Sequence, residues 1–143
     1  MASLFFTTLI CNGLIEESFK LLGLVILPAK KYTTFQFVHC SVIAGLALGA
    51  FEAVVYMFLG SGSILLRLLT ALVIHAACGG LNGVFTHQVQ TKNYFSLAFL
   101  YSILIHGIHN FFAGLPGNFW YFSLLVIAFA LIRLKFYIAK FYK

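Results

Sequence analysis

Aspartate is absent from this chain, and only three of its 143 residues are acidic, the glutamates Glu16, Glu17 and Glu52. That absence excludes any chemistry built on a pair of aspartates, two-aspartate intramembrane proteolysis included. Charge of either sign is scarce: 8% of residues are charged, against roughly 25% in soluble domains, while 62% are hydrophobic and the mean hydropathy is +1.03. This composition argues against a water-soluble monomer. Between Lys92 and Arg133 there is no Lys, Arg, Asp or Glu, which leaves room for two membrane crossings of roughly 20 residues each. Cysteine is limited to Cys11, Cys40 and Cys78, without CxxC spacing. Neither a disulfide nor a thiolate metal site is indicated, and the thiols read as small hydrophobes. There is no polar domain, no Ser/Pro-rich linker and no internal repeat, so residues 1–143 read as a single integral membrane domain. The apolar N-terminus lacks leading basic residues and is interrupted by Glu16 and Glu17. It therefore reads as a retained helix and not as a secretory signal.

What is present is a series of apolar segments at about 3–27, 35–59, 63–86, 93–113 and 117–138. The breaks between them carry turn-forming residues, such as Pro28 and Gly60-Ser61-Gly62. The fold class expected is all-α: a polytopic membrane helical bundle of about five transmembrane helices. The net charge of +6 does not point to nucleic acid, because the basic residues are scattered at the ends of apolar runs. Lys30, Lys31, Lys92, Arg133, Lys135, Lys140 and Lys143 fall at alternate helix ends and can share one side. The positive-inside rule then predicts a multi-pass protein, N-terminus outside and C-terminus cytoplasmic, in a membrane that we read as the bacterial cell membrane.

All three acidic residues lie within these apolar helices, where each costs several kcal/mol unless paired or facing a water-filled cavity. Glu16 and Glu17 stand four and three residues before Lys20, so an intrahelical ion pair can hold one carboxylate and leave the other free. Glu52 and Tyr56 are one turn apart on the second helix, close to the small-residue face of Gly45 and Gly49. Arg67 and His75 share a face of the third helix, with Gly79 one turn beyond His75. On the fourth helix Asn110 follows His106 at i+4, an imidazole beside an amide donor of the kind that serves an oxyanion. Each has a bland alternative: Glu16 or Glu17 merely neutralising Lys20, Glu52 a buried structural carboxylate bonded to Tyr56, or His75 and His106 bonding neighbouring helices. His39 and His87 read as interfacial residues, and the aromatic residues at the ends of the last helix as membrane anchors.

In order, Glu-Glu-x-x-Lys at 16–20, Phe-Glu-x-x-x-Tyr at 51–56, Arg67 with His75 and Gly79, and His-x-x-x-Asn at 106–110 resemble the four motifs of the PrsW family of intramembrane proteases. That family is similar to the CAAX prenyl endopeptidases and to a non-proteolytic scaffold subunit of gamma-secretase. The resemblance implies an endopeptidase making site-1-type cuts in membrane-anchored proteins such as anti-sigma factors. It implies catalytic positions at Glu16, Glu17, His75 and His106, with Glu52 and Asn110 in support. The chain is shorter than relatives that carry further helices.

Hydrolysis needs an activated water, a stabilised oxyanion and a protonated leaving amine. The expected assignment makes Glu17 or Glu16 the general base, positioned by Lys20. His75 helps hold the water, His106 and Asn110 stabilise the oxyanion, and Glu52 with Tyr56 orients an imidazole. A metal-assisted version uses His75, His106 and Glu17 or Glu52 as ligands of Zn²⁺, although His-Glu-x-x-His is absent. Counted at about 1.5 Å per residue, the histidines and Glu52 converge in the outer half of the membrane, whereas Glu16 and Glu17 come out nearer the middle. The competing readings are a membrane scaffold with a structural polar core and a proton- or cation-coupled transporter.

Overall fold

A chain surrounded by hydrocarbon must satisfy its backbone internally, and helices do so segment by segment. The computed structural model describes residues 1–59, 64–92 and 96–140, and of residues 64, 66, 67 and 92 the backbone alone. Among the described residues there are five helices and no strand. The first, α1, is α-helical over Ala2–Thr7, π-helical over Thr8–Ile15 and α-helical again over Glu16–Val25. It is followed by α2 (Thr34–Phe58), α3 (Ile64–Lys92), α4 (Ala98–Ala113) and α5 (Tyr121–Ala139). The all-α membrane bundle expected from composition is thus the architecture found. Among the described residues three stretches, Thr34–Phe58, Leu68–Thr91 and Gly117–Ala139, are long and apolar enough to cross a bilayer. At 16 residues α4 is shorter, about 24 Å by helical rise.

Local signals place the helix ends. Pro28 stops α1, and α2 starts with a capping box in which Thr33 Oγ1 accepts from the Gln36 N–H and Gln36 Oε1 accepts from the Thr33 N–H, satisfying two otherwise orphaned donors. The α4–α5 turn uses Gly117 at φ +70°, a conformation that glycine reaches without steric cost. Two ends differ from those read in the sequence. Helix α3 continues through His87 and Gln90 to Lys92, past residue 86, and α4 begins at Ala98, beyond residues 93–95, which lie outside the described residues. The polar run 87–91 resembles a connection but works as a clamp. Gln90 accepts from the Ala29 N–H and donates to the Val25 carbonyl, while the His87 ring donates to the Tyr32 carbonyl and bonds Thr34. His87 is therefore buried within the protein and His39 is exposed, its ring bonded to the Phe35 carbonyl.

Helix α3 is the centre of the bundle. Ile74, Ala77, Leu81 and Val84 pack with Val38 of α2, Ile105 of α4 and Ala130 of α5. Large apolar side chains such as Phe19, Ile26, Phe51 and Phe58 point outward, as expected where hydrocarbon and not water is the solvent. Polar side chains such as Glu17, His75, Asn82 and His106 are turned inward, and glycine sets how closely their helices approach. A Cβ at Gly45 would strike the His75 carbonyl, and one at Gly49 would stand 2.8 Å from the Ala71 carbonyl. Across the bundle, a Cβ at Gly13 would lie 2.6 Å from the Ile103 carbonyl, and one at Gly107 would lie 2.8 Å from Leu9 Cα. Two backbone-to-backbone seams result, α2 on α3 and α1 on α4.

Candidate active site

The two seams meet at a polar cluster. Glu16 and Glu17 open the last segment of α1, directly after the π-helical stretch, whose wider turn changes the direction in which the following side chains point. Lys20, itself buried, sits 3.1 Å from Glu16 Oε1 and donates to Glu17 Oε1 at 2.6 Å. Glu17 is fully enclosed and accepts two further hydrogen bonds, from His106 Nδ1 at 2.6 Å and from Asn82 Nδ2 at 2.8 Å. Asn82 in turn accepts from Ser102 Oγ at 2.7 Å. Glu17 is thus bonded to α3 and α4 as well as to its own helix.

His75 is held in the same manner from the other seam. Its Nε2 bonds Glu52 Oε2 at 2.5 Å, across the α2–α3 contact that Gly45 and Gly49 permit. Each buried imidazole therefore has one nitrogen committed to a carboxylate. The other nitrogens, His75 Nδ1 and His106 Nε2, are buried and make no hydrogen bond. Both face Glu16: His75 Nδ1 lies 3.4 Å from Oε1 and His106 Nε2 lies 4.0 Å from Oε2. The ring centroids are 4.8 Å apart, and Glu16, with a side chain one-third exposed, is the most open member of the group.

Imidazoles fixed by a carboxylate on one nitrogen, with the other nitrogen presented to a common point beside a third carboxylate, form the arrangement that metal-binding histidines adopt. Glu16, His75 and His106 offer ligand atoms all within 4.8 Å of one another. Ligands sharing one zinc ion at about 2.0–2.1 Å would stand roughly 3–3.5 Å apart, so a modest contraction fits the three to an ion. The donor set of two nitrogens and one carboxylate oxygen suits zinc. The carboxylate that the two unbonded nitrogens face is Glu16, whereas Glu17 and Glu52, the carboxylates expected from the sequence as candidate ligands, bond the far sides of the imidazoles.

The remaining expected positions are distributed around this cluster. Tyr56 lies one turn beyond Glu52 on α2, and the side chain of Arg67 lies outside the described residues. Asn110 accepts from the ring of His109 at 3.0 Å. The sequence reading did not pick out Asn82 and Ser102, which complete the support of Glu17. Their signal was spacing: Asn82 is seven residues after His75 and Ser102 is four before His106, so each shares a helix face with a histidine.

Fold and site together define a polytopic helical membrane protein with a histidine and glutamate cluster in its interior whose donor atoms could hold a metal ion. Its family is more definite. The chain matches the PrsW family intramembrane metalloprotease over residues 1–133, and it belongs to that family. Comparison with curated proteins and with solved structures finds no match.

The carboxylates behind the imidazoles can be tested directly. Glu52→Gln keeps the size of the side chain but removes the charge facing His75 Nε2. If the cluster takes up zinc, the affinity in this variant falls about 10–100-fold with the helical circular dichroism unchanged. An affinity equal to wild type would show that His75 is oriented without Glu52.

Proposed function

We propose that this chain is an intramembrane endopeptidase that cuts membrane-anchored protein substrates at the Glu16, His75 and His106 cluster. The supporting observation is the pair of buried imidazole nitrogens without hydrogen bonds, both turned toward Glu16, the most open carboxylate of the cluster. In this reading Glu16, His75 and His106 hold a zinc ion, which when bound supplies Lewis-acid polarisation and lowers the pKa of a coordinated water to about 7. The chain's own side chains do the rest. Glu52 and Glu17 fix the two rings, and Asn82 with Ser102 fixes Glu17. Lys20 balances the carboxylates of α1. Glu16 would ligate through one carboxylate oxygen and with the other take a proton from the attacking water and return it to the departing amine, and Asn110 lies one turn beyond His106 as a candidate oxyanion donor.

A second reading keeps Glu16 as general base with the imidazoles holding the water, and no metal. It is favoured by Lys20, whose ammonium lies 3.1 Å from Glu16 Oε1 and would repel a second cation there. Substrate class, a site-1-type cut, a bacterial cell membrane, an outside N-terminus and a single functional unit over the whole chain belong to the same proposal.

The experiment is cleavage of a tagged single-span substrate, co-expressed in a protease-deficient membrane and repeated with purified protein. Cleavage should vanish on treatment with a zinc chelator and return on adding zinc. Cleavage indifferent to the chelator selects the metal-free base. A wild type that cuts none of a panel of substrates overturns the enzyme in favour of a scaffold.

A further inference from the structure

The geometry points to the cavity between α1 and α2 as the groove that receives apolar side chains of the substrate's membrane-spanning segment, with Gly23 setting its depth; this rests on the proteolytic reading above. The cavity measures about 430 Å³, inside the range of roughly 300–1,000 Å³ typical of ligand sites. It has room for several side chains. Its walls are Gly23 of α1, Leu27 just beyond that helix, Ala44, Gly45 and Leu48 of α2, and Gly79 of α3. Glu16 and Lys20 also line it. The groove is thus continuous with the cluster: the carboxylate that faces the two unbonded nitrogens is part of its wall.

That continuity identifies the occupant. The walls are almost wholly apolar, so the groove cannot satisfy the amides of an extended strand. It suits side chains from a segment that keeps its own helical hydrogen bonds. Helix α2 runs antiparallel to α1, so the groove extends from the level of Glu16 and Leu48 toward Leu27 and Ser41, beside the Pro28–Lys31 connection. Substrate residues on that side of the cut are the ones it holds.

Gly23 provides the space. A Cβ built there meets nothing within 4 Å, in contrast to Gly45 and Gly79, whose Cβ atoms would collide with backbone. A glycine inside a helix weakens it relative to alanine, and here no close helix contact uses the missing side chain. What the glycine leaves is open volume on the groove wall, so a larger residue there fills the groove and leaves the bundle intact.

Binding is tested apart from cleavage. In a Glu16→Gln background, a photo-reactive phenylalanine in place of Leu48 should cross-link a tagged single-span substrate in the membrane, and one in place of Phe129 on the outer face of α5 should not. Gly23→Phe should abolish the Leu48 cross-link. With Glu16 restored, the ratio of cleavage rates for substrates carrying Leu or Ala near the cut should fall about tenfold or more in Gly23→Leu. The preference for Phe over Ala should rise in Leu48→Ala. Absence of the Leu48 cross-link, or its persistence in Gly23→Phe, overturns the groove whether or not the protein cuts. A Gly23-dependent cross-link without cleavage by the wild type upholds the groove and sinks the protease.

Discussion

Glu16→Gln is expected to lower cleavage of a membrane-anchored substrate by about 10³-fold, the scale set by loss of acid–base catalysis, without unfolding the protein. Glu16 is the most open carboxylate of the cluster, and both unbonded imidazole nitrogens face it. Glutamine preserves its volume and one oxygen but can neither accept the proton from water nor bind a cation as a carboxylate does. The measurement is initial cleavage rate in proteoliposomes, together with thermal unfolding in detergent. Rates within a few-fold of wild type would transfer the catalytic role elsewhere. Glu17→Gln is a different experiment. Glu17 is closed off and bonded to Lys20, His106 and Asn82, so its change acts through the orientation of His106 and the stability of the bundle.

The second large effect is on stability. Lys20→Met retains the apolar stem of the side chain but leaves Glu17, fully buried, and Glu16 without their shared ammonium. Breaking a buried ion pair by removing one partner costs about 3–5 kcal/mol. The variant should melt far below wild type in detergent, and it should accumulate poorly in cells. Adding Glu17→Gln to Lys20→Met should recover much of the loss, because no unpaired charge then remains at that position. If Lys20→Met alone is as stable as wild type, the three side chains are not the closed electrostatic unit that their distances describe.

Much of this arrangement was legible in the sequence. The acidic residues could be assigned to the interior because each lies far from any polar stretch, and Lys20 could be paired with Glu16 and Glu17 by counting along one helix. The contacts between helices were less accessible. Counting 1.5 Å per residue placed Glu16 and Glu17 too far from the histidines, because it treated α1 as a uniform upright α-helix. The π-helical turns over Thr8–Ile15 rise less per residue than α-helix does, and α4 is short. Nor could spacing assign different roles to adjacent glutamates. Glu17 is the enclosed one and Glu16 the open one because Gly13 and Gly107 bring α4 against one side of α1, a consequence of packing. Asn82 went unnoticed because a single amide in an apolar helix is usually a helix-to-helix bond, which it is; what matters is that its partner is Glu17.

The support that Glu52 and Glu17 give to the two histidines also sets an electroneutrality condition. With the carboxylates ionised and the imidazoles neutral, Glu16, Glu17 and Glu52 against Lys20 leave a formal charge of −2. In a medium of low dielectric constant that excess has to be compensated locally. A single divalent cation cancels it, and so do two protons shared among the imidazoles and carboxylates. The same small region can therefore rest as a protonated network or as a cation site, and which of the two prevails follows from the supply of ions and protons at the membrane.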